Sequence, residues 1–247
     1  MTDQLIDALQ LKHSPLAILL SDELPADATQ LKEGRWGCVA GMLLAAARGK
    51  TVAFDRGTYG CPGGGMGLGY AGAYEGFPIE CLLSTGGQVE TAEGRTYDLG
   101  EGERFLASPE LARRWAESLP VVDTTGYVVA KPLAALTPGE VPTLVWLLVN
   151  PDQLSALVYL CSFQRGTIEN VTAPWGAACQ SILFALDEAR RDPPRGVIGF
   201  FDISQRHRID RELLSFTVPY QLFQELESSV ARSFLGMPPW QKLRERA

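Results

Sequence analysis

The chain has 247 residues, 46% hydrophobic and 21% charged, with a formal net charge of −7 and a mean hydropathy of zero. That length and balance can bury a full core without disulfide or metal staples, and they exclude a disordered or fibrous chain. The longest apolar runs, such as TLVWLLV at 143–149, fall far short of the roughly 20 residues a bilayer crossing needs, so no membrane partner is expected. An acidic surface without a Lys/Arg stripe argues against a nucleic-acid partner.

The N-terminal MTDQLIDALQLKHS reads as a polar-faced helix carrying Asp3 and Asp7. It lacks the basic start and apolar centre of a secretory signal, so a cytoplasmic location is expected. SPLAILLSD (14–22) is a buried strand. GRWGCVAGMLLAAARGK follows as a helix introduced by Trp36-Gly37-Cys38 and stopped at Gly49, and TVAFD (51–55) is a second strand.

The next stretch, FDRGTYGCPGGGMGLGY at 54–70, places seven glycines around Cys61-Pro62. It is no P-loop, because no Lys-Ser/Thr pair follows the glycines and the next lysine is Lys131. A dinucleotide turn at Gly67, Gly69 and Gly72 is weakly signalled, with no clear helix after it. Two readings remain. One is a site-forming loop whose amides at Gly63, Gly64 and Gly65 approach a cofactor or small anion; the other is a tight turn with a buried thiol.

STGGQVETAEGRTYDLGEGERF (84–105) is a glycine- and glutamate-rich excursion, either a lid or a solvated hairpin. SPELARRWAESL then reads as a helix with Ser108 before Pro109 and Glu110 in its first turn. In the second half, VPTLVWLLVNPD (141–152) is a strand, and APWGAACQSILFALDEARRDPP supplies Trp175-Gly176, Cys179, a helix and a Pro193-Pro194 stop. GVIGFFD (196–202) closes with a strand ending at Asp202. VPYQLFQELESSVARSFLG is an amphipathic helix stopped near Gly236.

The expected fold is therefore α/β (or α+β), one compact domain over 1–247. It is built from two pseudo-symmetric β-α-β-like halves, with a pseudo-repeat at 14–70 and 141–218 and the excursion 84–105 between them. A chance recurrence of Trp-Gly pairs is the alternative.

Five cysteines in a reducing compartment point to metal, catalytic or core roles rather than disulfides. Cys38 and Cys179 fall near helix starts, where unpaired amides and the helix dipole favour a thiolate. Cys81 and Cys161 read as core, with Cys81 the reserve for a fourth ligand. The only histidines are His13 and His207, which limits His-based chemistry. Asp55 and Asp202, at strand ends, read either as site residues or as turn caps.

The run WGCVAGMLLAAARGKTVAFDRGTYGCPGGGMGLG, with the later NPDQ and WGAACQSI, resembles the domain-of-unknown-function family 169, a group of prokaryotic proteins. The resemblance covers most of the chain and implies recurring cysteines where Cys38, Cys61 and Cys179 stand. It implies no activity. DISQRHRID departs from the Gly-Cys/Ala-Arg element that family members carry after the second strand.

Three functions follow from the residues. In the first, Cys38, Cys61 and Cys179 converge on an iron–sulfur cluster or other thiolate-bound metal with an open or non-cysteine fourth position, serving redox or small-molecule chemistry. The second is a metal-free binder or sensor of a small anion, and the third a thiol enzyme using Cys61 or Cys38 with His207 as base. A small-molecule ligand is expected and a homo-oligomer is allowed.

Overall fold

The computed structural model describes residues 4–245. In chain order the first half gives α1 (Gln4–Leu9), β1 (Leu16–Ser21), α2 (Val39–Ala46), β2 (Val52–Phe54), α3 (Pro62–Gly67) and α4 (Ile79–Leu82). The middle gives β3 (Gln88–Glu90), β4 (Thr96–Asp98), α5 (Pro109–Glu117) and β5 (Tyr127–Pro132). The second half gives β6 (Leu144–Val149), α6 (Pro151–Ser162), β7 (Val171–Thr172), α7 (Gln180–Glu188), β8 (Gly196–Gly199), α8 (Ile203–Arg206), β9 (Leu214–Pro219), α9 (Tyr220–Ser229) and α10 (Pro238–Arg244). Among the described residues no helix is long and apolar enough to cross a membrane.

The fold is mixed α/β. Seven strands form one sheet in the order β2-β5-β1-β6-β9-β8-β7, antiparallel throughout except for the parallel β7–β8 pair. The period of two along each strand divides the core. Leu144, Trp146 and Leu148 of β6 join Leu16 and Ile18 of β1 on one face, here called the front, while Val145, Leu147 and Val149 join Ala17 and Leu19 on the back. Both faces of β6 are thus covered, which is why its sequence is continuously apolar rather than alternating.

The back is closed by α1, α6, α9 and α10 through Leu5, Leu157, Leu160, Phe223, Leu226 and Trp240. The front is covered by α2 and α7, with α3 packed against α7. A small annex joins α4 to α5 around Ile79, Leu83 and Ala112.

Several elements differ from the sequence reading. The strand of 141–152 ends at Val149, and α6 begins there with Asn150 as N-cap, Pro151 at N1 and a reciprocal capping box to Gln153. That Asn-Pro-x-Gln signal is local and outranks the apolar run before it. The strands β5 and β9 supply the partners that hold β1 and β6 in the sheet, and the sequence reading contained neither. The stretch at 62–67 is a helix, not a loop.

The strand order runs β1-β5-β2 on one side of the central β1–β6 pair and β6-β9-β8 on the other. The helix starts do not repeat in the same way. Cys38 is an extended N-cap (φ −120°) whose sulfur accepts the Gly41 amide, whereas Cys179 is helical (φ −72°) with no capping bond. The whole of α6 also intervenes between β6 and α7.

The excursion 84–105 forms the exposed two-stranded hairpin β3–β4. Its neck is tied by Gly87 N–H to Gly100 O at 2.9 Å and Glu103 N–H to Leu82 O at 2.7 Å. Gly86 (φ +66°) stands where a Cβ would lie 2.2 Å from the Gly102 amide, so only glycine lets the two arms of the neck meet. The hairpin thereby returns Glu103 and Phe105 to the body of the protein.

Candidate functional site

A cavity of about 400 Å³ opens on the front of the sheet, between the starts of α2, α3, α7 and α8 and the annex. Its wall includes Cys38, Cys61 and Cys179, so the fold brings together three thiols widely separated in sequence.

Each thiol is placed by the backbone of its own helix start. Cys38 Sγ accepts the Gly41 amide at 3.4 Å and donates to Gln205 Oε1 at 3.3 Å. Cys61 is the N-cap of α3 in an extended conformation, and its Sγ accepts the Gly64 amide at 3.2 Å. Pro62 at N1 suits this start because the position needs no donor. Cys179 donates to Gly63 O at 3.3 Å.

The glycines of α3 serve this packing. A Cβ on Gly67 would lie 2.7 Å from Cys179 Sγ and 2.9 Å from its carbonyl carbon, so a bare backbone is what lets α3 lie directly on the start of α7. Gly63 lines the cavity. Gly64 and Gly65 are buried within α3, with the Gly64 amide on Cys61 Sγ and the Gly65 amide on Cys61 O at 2.9 Å. The exit of α3 is pinned by Thr124 Oγ1 to Leu68 O at 3.0 Å and by Tyr70 OH to Phe54 O at 2.8 Å.

Burial pushes the Cys61 thiol up, and the neighbouring Cys38 and Asp202 charges add to the effect against the opposing Gly64 amide. Cys179 is raised well above the ordinary thiol value, first by burial and then by Cys61, Cys38 and Asp202. The thiols therefore feel one another. Among the described residues, however, no group of three or more His, Cys, Asp or Glu is gathered closely enough to hold a metal ion.

The remaining candidates separate cleanly. β8 stops at Gly199, short of the expected Asp202, which is instead the N-cap of α8 and lines the cavity: Oδ2 accepts the Ala178 amide at 3.1 Å, tying the start of α8 to the start of α7, while Oδ1 accepts the Ser204 amide at 2.9 Å and hydroxyl at 2.6 Å. Asp55 is a turn cap, accepting the Gly57 amide at 2.8 Å and the Thr58 hydroxyl at 3.0 Å. Cys81 is half-buried on α4 and away from the cavity wall. Cys161 is fully buried in the back core, its thiol pushed up to about 12 chiefly by burial. His207 is exposed and accepts from Arg208 Nε at 3.2 Å. Neither His207 nor His13 lines the cavity, which leaves the thiols without an imidazole base.

Sequence reasoning missed the rest of the wall. Phe77, Phe105, Trp115, Tyr74 and Glu103 come from the annex and the hairpin neck. Burial pushes the Tyr74 hydroxyl up, with Cys179 and Cys61 adding to the effect, against the opposing hydrogen bond it accepts from Gln180 Nε2 at 3.2 Å. Glu103 is half-buried, and its carboxyl is raised by burial first and by Asp202 second. The one available signal was the pair of Trp-Gly steps, since Trp36 and Trp175 both line this cavity.

No curated protein and no solved structure matches the chain. The family model described as Uncharacterised ArCR, DUF169, matches residues 4–229, nearly the whole chain, and the chain belongs to that family.

Proposed function

We propose that Cys38, Cys61 and Cys179 hold a thiolate-bound metal centre, an iron–sulfur cluster before any other, in the front cavity. The observation that carries this reading is the arrival of the three thiols on one cavity wall from three separate helix starts. The donor set fits a soft metal in kind, because thiolate sulfur is the preferred ligand of iron–sulfur clusters and N–H···S bonds such as those from Gly41 and Gly64 tune them.

As they stand, the Cys38 and Cys179 thiols donate hydrogen bonds to Gln205 and Gly63. Ligation requires those protons to leave, because the thiolate is the ligand. Once bound, such a centre supplies electron transfer or an open coordination position beside the cavity. The chain's own part is to fix the sulfurs on rigid helix starts, to shield them behind aromatic walls, and to keep Asp202 in its bracing position.

Anaerobic reconstitution with iron and sulfide tests the reading. The account expects a brown protein with broad absorption near ~400 nm and iron and acid-labile sulfide retained through desalting. A colourless chain that retains neither overturns it. A metal-free small-molecule site is the second reading, favoured by the same two donor hydrogen bonds from Cys38 and Cys179, and it would then stand alone.

A further inference from the structure

Above its sulfur floor the cavity carries a chemistry that the metal reading does not use. The chain has five tryptophans, and three of them, Trp36, Trp115 and Trp175, line this cavity with Phe77 and Phe105. The rings meet edge to face: Trp115 and Trp175 at 4.8 Å between centroids, Phe105 and Trp175 at 6.2 Å. Trp115 Nε1 donates to Trp175 O at 3.4 Å, which locks that corner. The outer rings stay partly open, Trp36 at 74% and Trp175 at 40% exposed, a costly display of apolar surface unless a ligand uses it.

Among these rings stands Glu103. Its carboxylate has no hydrogen-bond or ion-pair partner among the described residues, although the residue is half-buried and close enough to Asp202 to feel its charge. Asp202, by contrast, has both oxygens occupied by Ala178 and Ser204. Among the described residues, Arg208 is the one cation on the wall. It is exposed, and its Nε is engaged with His207. Two carboxylates against one exposed guanidinium leave the interior negative.

Indole faces and a free carboxylate in one cavity are complementary to an alkylated cation, which the ring quadrupoles attract and which loses little hydration on entry. An anion would meet the carboxylates, and a neutral apolar molecule would leave Glu103 unpaired. We propose that the aromatic walls and Glu103 form a binding site for a small organic cation of the quaternary ammonium class. This rests on the reading of the cavity as the functional site, but it does not require the metal.

The test is titration of the metal-free full-length protein, followed by tryptophan fluorescence and calorimetry, with choline, with phenyltrimethylammonium, and with 3,3-dimethylbutan-1-ol, the neutral counterpart of choline. Choline or phenyltrimethylammonium is expected to bind saturably, and choline at least about tenfold tighter than the alcohol. Glu103→Gln should weaken the cations by about tenfold and leave the alcohol unchanged, while Trp175→Leu should weaken both. Equal affinities for choline and the alcohol, no saturable binding of either cation, or indifference of the cations to Glu103→Gln would overturn the inference. Iron uptake is read separately. A chain that takes up iron but binds no cation loses only this inference; one that binds the cation but takes up no iron loses only the metal reading.

Discussion

The two faces of the sheet are built to different standards. The back is covered chiefly by two longer helices with strong local signals, α6 with its capping box and α9 packed against it. Two largely buried ion pairs stand on this side, Arg165 with Glu225, doubly hydrogen-bonded at 3.0 and 2.7 Å, and Lys131 with Glu140 at 2.6 Å. The front is covered in part by short pieces, α3 of six residues and α8 of four. Under α7, Trp146 Nε1, Ser215 Oγ and Thr217 Oγ1 are buried without partners among the described residues, against Arg244 Nε alone on the back. The front leaves room, keeps thiols at the edge of that room, and tolerates polar groups that a purely structural core would remove.

If the back carries stability and the front carries the site, substitutions on the two faces should have different signatures. The largest stability effect is expected from Leu157→Ala, a fully buried side chain in the back core. Chemical denaturation should show a loss of about 2–5 kcal/mol, with iron retained per folded molecule unchanged. A marked loss of iron from the folded fraction would break the division between the faces.

Gly67→Ala should invert that pattern. The added methyl would meet Cys179 at 2.7 Å, an overpacking cost of about 1–3 kcal/mol, partly offset by the roughly 1 kcal/mol that alanine gains over glycine within a helix. Net destabilisation should be smaller than for Leu157→Ala while iron retention falls further, as analysis of the folded fraction would show. Unchanged iron binding would mean that the contact between α3 and Cys179 does not set the site.

The smallest effect is a pH dependence. The Glu103 carboxyl is raised above its ordinary value, first by burial and then by Asp202, so the folded state holds this proton more tightly than the unfolded state. Its contribution to stability is full below the ordinary carboxyl range and is lost as pH rises through the raised value. Glu103→Gln should flatten that segment of the stability curve, measured by denaturation across mildly acidic pH. A slope that rises with pH in the same segment, or one unaltered by the substitution, would contradict the environment assigned to Glu103.

The sequence made the α/β class and the segments of β1, α2, β2, α7 and β8 legible because each combines an apolar run with a Gly or Pro stop. It also pointed to Cys38 and Cys179 through their helix-start positions, and to Cys61 through the glycines that surround it. The wall opposite them was hidden. Glu103 and Phe105 reach the cavity only because a hairpin neck closes through Gly86 and Gly102, and Phe77 and Trp115 only because α4 packs on α5; no periodicity encodes such contacts. The helix in Pro62–Gly67 was obscured for a related reason. Glycine disfavours helix locally, and here close packing on Cys179 and the Cys61 cap override that preference.

The most direct test of the central claim, that three particular thiols share one metal centre, is the set of five single Cys→Ser variants reconstituted anaerobically and assayed for iron and sulfide per folded chain. Cys38→Ser, Cys61→Ser and Cys179→Ser should each lose most of the bound iron, while Cys81→Ser and Cys161→Ser retain it at the wild-type level. Retention by all of the first three, or equal loss across all five, would contradict the account.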